Sequence, residues 1–290
     1  MTPPYQVKKV SDEGSSSPFI SRISMGILFF RDQLFLIDTD GQQRRASLNH
    51  FDQQFKPMYE AAQATRDAAI RVCELVDSHR SAIQNGNLIQ FRANQYDILE
   101  TIDKPLSQAV DLLIDQTIIA TKTGLQKILK DPLNLDIGFF FQKDKDFHEG
   151  LKNLRALGEN DLAQYLQDVR VNWHSKLQEL RTEHEHGGWS LDSIEYELTA
   201  PYTVKINLPT VLGMPVNEFV LKTANRVLFF IENMMVYAML RYSHQSPIFV
   251  VEIPIESRNP LNPKRFRLAP KGLDGSTPWV ITYQDAREFV

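Results

Sequence analysis

The sequence predicts a mainly α protein with a minor β part (α+β). We expect a bundle of five or six helices with a small peripheral antiparallel β-layer. Three observations carry this expectation. Apolar residues recur at helical spacing through most of residues 48–244. Alternating apolar segments are confined to the chain ends and to one insert at 194–208. The periodic stretches are separated by Gly, Pro and Asn, the residues that stop helices.

Taken in order, residues 1–22 read as a tail, with Ser11-Asp12-Glu13-Gly14-Ser15-Ser16-Ser17-Pro18 too polar to pack. Residues 23–47 read as a β-hairpin packing on the main body. Ile27-Leu28-Phe29-Phe30 and Leu34-Phe35-Leu36-Ile37 flank Arg31-Asp32-Gln33, and Gln43–Ser47 extend the ribbon past Asp40-Gly41. From Leu48 the period becomes helical through Phe51, Phe55, Tyr59 and Ala62, then Ala69, Val72 and Val76, with a kink expected at Pro57. Asn85-Gly86-Asn87 breaks this helix, and residues 88–101 are expected to form a short one.

Pro105 suits the first turn of a helix reaching about Leu129, with Leu106, Val110, Leu113, Ile114, Ile118, Ile119 and Leu125 as its apolar positions. Residues 135–146 read as a loop whose Phe139-Phe140-Phe141 plugs the core. A helix over 144–157 follows, then a break with Asn160 as N-cap. Leu162, Leu166, Val169, Trp173, Leu177 and Leu180 then form one stripe that reaches His184, and Gly187 sits where a C′ glycine ends a helix. Residues 194–208 alternate around Thr199-Ala200-Pro201 as a hairpin. Gly213–Tyr242 is expected to be the longest and most buried helix, its Met234, Met235 and Tyr237 in the core or a dimer seam. Residues 245–290 return to extended structure, with strands at Ile248–Ile253 and Trp279–Tyr283, and the two terminal β regions are expected to pair.

The stretch richest in chemistry is Leu180-Arg181-Thr182-Glu183-His184-Glu185-His186-Gly187-Gly188-Trp189. Arginine neutralises a phosphate, and histidine moves a proton near neutral pH. A helix advances about 100° per residue, so Arg181 lies about 100° from the stripe, and His186 lies on the opposite flank. The two converge only where the helix end unwinds or where two chains meet. On the stripe, His184 reads as structural. A second reading of the same residues is an ordinary helix end: Arg and His favoured by the macrodipole, with Glu183 and Glu185 pairing to Arg181 on a solvated face.

The segment Arg181-Thr-Glu-His-Glu-His186-Gly187 resembles the HEPN superfamily, helical bundles with an Arg-x(4–6)-His motif near the end of a late helix. The architectural resemblance spans residues 48–244; the motif itself covers about ten residues. Thr182 stands where that family often has Asn, Asp or His. The resemblance implies a metal-independent endoribonuclease, in defence or as a toxin, that dimerises around a shared cleft. Arg181 would neutralise the phosphoryl oxygens and His186 would act as base or acid, with Glu183, His184 and Glu185 in support. The substrate's own 2′-OH would be the nucleophile. The alternative is a catalytically silent HEPN-like scaffold or regulatory subunit that binds RNA, nucleotide or a protein partner.

Lys264-Arg265-Phe266-Arg267 is the densest basic cluster and a candidate RNA contact, with Arg44-Arg45 a weaker one. We expect RNA as partner, a homodimer, and a protein partner within a larger system. No cofactor and no metal site are expected: His174 and His184 are ten residues apart and no His-Glu-x-x-His pattern occurs. A net charge of −4 excludes broad electrostatic binding of nucleic acid but not a local basic groove. Cys73, the single cysteine, excludes an intramolecular disulfide, sits on a helix stripe, and points to a cytoplasmic location. Met1–Pro18 has no apolar run, so we expect it not to be a signal peptide, and the apolar Val227–Leu240 stretch is too short to span a bilayer and contains Glu232 and Asn233.

Overall fold

The structure is a computed structural model that describes residues 41–92, 95–130, 135–200, 203–242, 248–252, 254–257 and 266–270. The protein is mainly helical, with small two-stranded antiparallel sheets. Its helices are α1 (Gly41–Gln84), α2 (Asp103–Leu125), α3 (Asp144–Ala156), α4 (Asn160–Val169), α5 (Ser175–Glu185) and α6 (Val216–Tyr242). Its strands are β1 (Ile89–Arg92), β2 (Gln95–Ile98), β3 (Glu195–Ala200), β4 (Thr203–Asn207), β5 (Thr210–Val211), β6 (Met214–Pro215), β7 (Ile248–Glu252) and β8 (Phe266–Pro270). Among the described residues, no helix is long and apolar enough to cross a membrane.

The chain divides into two compact units. The first takes in α1 up to Glu60, the segment after Thr123 to Asp136, α6 from Ile231, and the β7–β8 pair. Its buried side chains include Met58, Leu125, Ile128, Leu129, Ile231 and Met234. Here α2 passes into a π-helical turn, Gln126–Lys130. The second unit holds the rest of α1, α2 up to Thr123, the helices α3 to α5, the sheets β1 to β6, and α6 up to Phe230.

In the second unit the sequence stripe is the core. Leu162, Leu166, Val169, Trp173, Leu177 and Leu180 are all buried. Each contributes about 1.5–3 kcal/mol of transfer free energy, which fixes this face inward. The helix carrying them is continuous but not regular: Arg170–His174 forms a π turn between α4 and α5. Phe140, in the 3-10 turn Gly138–Phe141, is fully buried, so the aromatic run does plug the core. Its neighbour Phe139 lies over Gly150 of α3, where any Cβ would collide with the ring. Two carbonyls of this turn region, Phe140 O and Gln142 O, each accept from Arg170 at 2.6 Å. Arg170 also stacks over Phe147, 4.4 Å from its centroid.

Several expectations are corrected. Residues 41–47 are helical rather than ribbon, and α1 runs through Pro57 as the longest helix among the described residues, at 44 residues. Residues 88–101 form the hairpin β1–β2, not a helix. Phe91 pairs with Tyr96 across it, and so short a segment nucleates a helix poorly. Asn160 is the first residue of α4 rather than its cap. Pro105 is the third residue of α2, still among the positions whose N–H has no helical partner. Before α6, Leu212 and Gly213 turn the β5–β6 pair with positive φ of 50° and 77°. The 194–208 hairpin is present as β3–β4. No continuous β-layer joins the described strands, which pair two by two, and β7 pairs with β8. The tail, the 24–37 hairpin and the Trp279–Tyr283 strand lie outside the described residues.

Candidate functional site

The motif helix ends as its glycines dictate. Gly187 takes φ +74°, a conformation open to glycine without steric cost. Gly188 N–H donates to Glu183 O at 2.7 Å, and Gly187 N–H donates to His184 O at 3.1 Å. This pair of bonds is the Schellman closure, with His186 as the C-cap. The helix end is therefore wound, and it does not unravel to bring His186 around to Arg181.

Arg181 faces α2. Its Nε lies 3.0 Å from Asp115 Oδ1 and 3.1 Å from Glu185 Oε1. The Nε–H points in line at neither oxygen, so both contacts are coulombic rather than hydrogen bonds. One turn further on, His184 Nε2 lies 3.4 Å from Asp111 Oδ2. Asp111 and Asp115 are one turn apart on α2, and Arg181 and His184 are one turn apart on α5, so two rows of charge meet. Burial pushes the Asp111 carboxyl above the usual carboxylate value; His184 pulls it down and Asp115 pushes it up. The Trp189 ring closes one side of His184, edge to face at 6.1 Å.

His184 is thus not the buried stripe residue expected from spacing. Its side chain is 45 % exposed, although Leu180, one turn earlier, is buried. His186 is exposed and makes no side-chain hydrogen bond or ion pair among the described residues. Glu185 supports Arg181. Glu183 lies away from it, lining an open groove of about 960 Å³ with Phe141, Arg170, Gln178 and Thr182. Asp111 and Asp115 escaped the sequence reading; their signal is the Asp-x-x-x-Asp spacing on the polar flank of α2. Lys264 and Arg265 lie outside the described residues, and Phe266 and Arg267 fall in β8. Cys73 is only half-buried.

A second polar group sits deeper. His174, in the π turn, is completely buried, and neither ring nitrogen has a hydrogen-bond partner. Phe140, Phe141 and Trp173 surround it with ring centroids at 4.8, 5.5 and 5.7 Å. Burial, with the nearby Arg170 charge, lowers its pKa to about 3. Elsewhere His79 Nε2 and the Tyr196 hydroxyl share a 2.7 Å hydrogen bond. Among the described residues no three His, Cys, Asp or Glu side chains gather closely enough to hold a metal ion. Comparison of the chain with models of protein families, with curated proteins and with solved structures finds no match.

Proposed function

We propose that this chain is a HEPN-like helical protein whose α5 end carries a metal-independent endoribonuclease site. The observation that carries the reading is that Arg181 and His184 lie one turn apart against α2 at an exposed, glycine-closed helix end, with His186 at its C-cap. In this reading Arg181 neutralises charge that grows on the phosphoryl oxygens, and a histidine takes the proton of the 2′-OH. Asp115 and Glu185 fix the arginine, and Glu185, itself half-exposed, gives way to the incoming phosphate. A homodimer places a second copy of this helix end across the cleft, and the Lys264–Arg267 cluster supplies phosphate contacts.

The expected result is that Arg181→Ala abolishes cleavage of a single-stranded RNA while the circular dichroism spectrum stays that of the parent. DNA of the same sequence, lacking the 2′-OH, is left intact. RNA left uncut by the parent protein over a range of concentrations and activators refutes the enzyme reading.

One observation favours the second reading, a silent scaffold that binds a partner. Arg181 is already matched by two carboxylates, and Asp111 adds a third against His184, one turn on. A patch with more carboxylates than cations gains nothing from long-range attraction to a polyanion. On that reading the Arg181–Asp115 and His184–Asp111 contacts clamp α5 to α2, and their loss lowers stability without touching any RNA chemistry.

A further inference from the structure

We infer that the proton-transfer residue of this site is His184, with Asp111 as its positioning residue, rather than the His186 that the motif spacing selects; this rests on the nuclease reading above. Geometry separates the two histidines. His184 and Arg181 both face α2 and sit one turn apart, so a phosphate drawn to the guanidinium lies beside the His184 ring. His186 follows at the C-cap, where no described side chain orients it. A base needs a fixed ring with one free nitrogen. The Asp111 carboxylate, 3.4 Å from Nε2, supplies the fixing. In the proposed step it accepts from Nε2–H as the two close together and leaves the Nδ1 lone pair open; Nδ1 meets no partner among the described residues. The present separation is long for a hydrogen bond, as is common before substrate closes a site. Trp189 limits the ring from its other side. The groups in contact with His184 are therefore Asp111 from α2 and the Trp189 ring, while Asp115 and Glu185 face Arg181 one turn earlier.

The step balances without a further reagent. His184 Nδ1 takes the proton of the ribose 2′-OH. The O2′–P bond forms, the P–O5′ bond breaks, and O5′ leaves with a proton drawn from water. The products are a 2′,3′-cyclic phosphate and a free 5′-hydroxyl.

The test compares three variants of the full chain on one RNA. His184→Ala is expected to lose roughly 10²–10⁴-fold in rate, the range for a lost general base. His186→Ala is expected to retain more than a tenth of the parent rate. Asp111→Asn is expected to lower kcat with KM unchanged, and Asp111→Glu to restore part of it. A readout free of activity is the imidazole Nε2–H signal of His184 in ¹⁵N NMR spectra, present in the parent and lost in Asp111→Asn. Cleavage that needs His186 and survives His184→Ala overturns this inference and leaves the nuclease reading standing. An Nε2–H signal unchanged in Asp111→Asn overturns the positioning role by itself. An inactive parent overturns the nuclease reading together with the catalytic role, and the NMR signal then still reports whether Asp111 holds the ring.

Discussion

Gly187→Ala isolates one physical cause. At φ +74° a Cβ clashes with its own backbone, which costs roughly 1–2 kcal/mol. Nothing lies within 4 Å of the position that Cβ would take, so no packing term is mixed in. For a chain of 290 residues that cost corresponds to a fall of about 1.5–3.5 °C in Tm. Gly188→Ala is the internal control: its new Cβ meets Glu183 O at an ordinary 3.5 Å and its φ is not positive, so less than about 0.5 kcal/mol is expected. Gly187→Asn should fall between the two, since Asn tolerates the left-handed region. Thermal melts followed at 222 nm and urea midpoints read all three. Gly187→Ala as stable as the parent, or no less stable than Gly188→Ala, would show that the helix does not end in the Schellman geometry. The positions assigned to His184 and His186 would fall with it.

Other perturbations probe separate parts of the second unit. Leu166→Ala removes a fully buried stripe residue and should cost about 2–5 kcal/mol in urea unfolding. Arg170→Lys should cost on the order of 2–4 kcal/mol, because an ammonium cannot donate to two carbonyls as the planar fork does; a thermal melt indistinguishable from the parent's contradicts the clamp. Tyr196→Phe leaves the His79 imidazole without its partner and should cost about 1–3 kcal/mol. His174 is held neutral, with its folded pKa of about 3 below the ordinary 6.5. Between those values the unfolded chain binds a proton that the folded chain does not, so this stability is whole above pH 6.5 and is lost as pH falls. From pH 7 to 5 the loss is about 2 kcal/mol, and a His174→Phe variant should show a correspondingly flatter urea midpoint against pH.

What was legible in the sequence was whatever a local period records. The stripe from Leu162 to Leu180, the 144–157 helix, the 194–208 hairpin and the Gly187 stop all depend on neighbours within a turn or two. The β1–β2 hairpin was lost because Ile89, Phe91, Tyr96 and Ile98 fit either period over so few residues, and cross-strand pairing decided the matter. The site was half legible. Arg181, His184 and His186 announce themselves by type and spacing. Asp111 and Asp115 lie some seventy residues earlier, in a helix whose apolar side alone predicts its packing. Only the crossing of α2 with α5 makes them part of the same cluster.

The π turn sits inside the buried stripe that leads to the site. Arg170–His174 closes with i to i+5 bonding, so it takes in an extra residue. Trp173, Leu177 and Leu180 nevertheless stay buried through and beyond it. Arg181 follows Leu180 about 100° round the helix, and that flank is the one that meets Asp115, with His184 one turn beyond against Asp111. The same turn holds the unpaired His174 among Phe140, Phe141 and Trp173, and Arg170 grips the Phe140 and Gln142 carbonyls. A straight helix is the cheaper local choice for these residues, so the bulge is held by the packing around it. The orientation of the candidate site therefore depends on contacts made up to three turns before it.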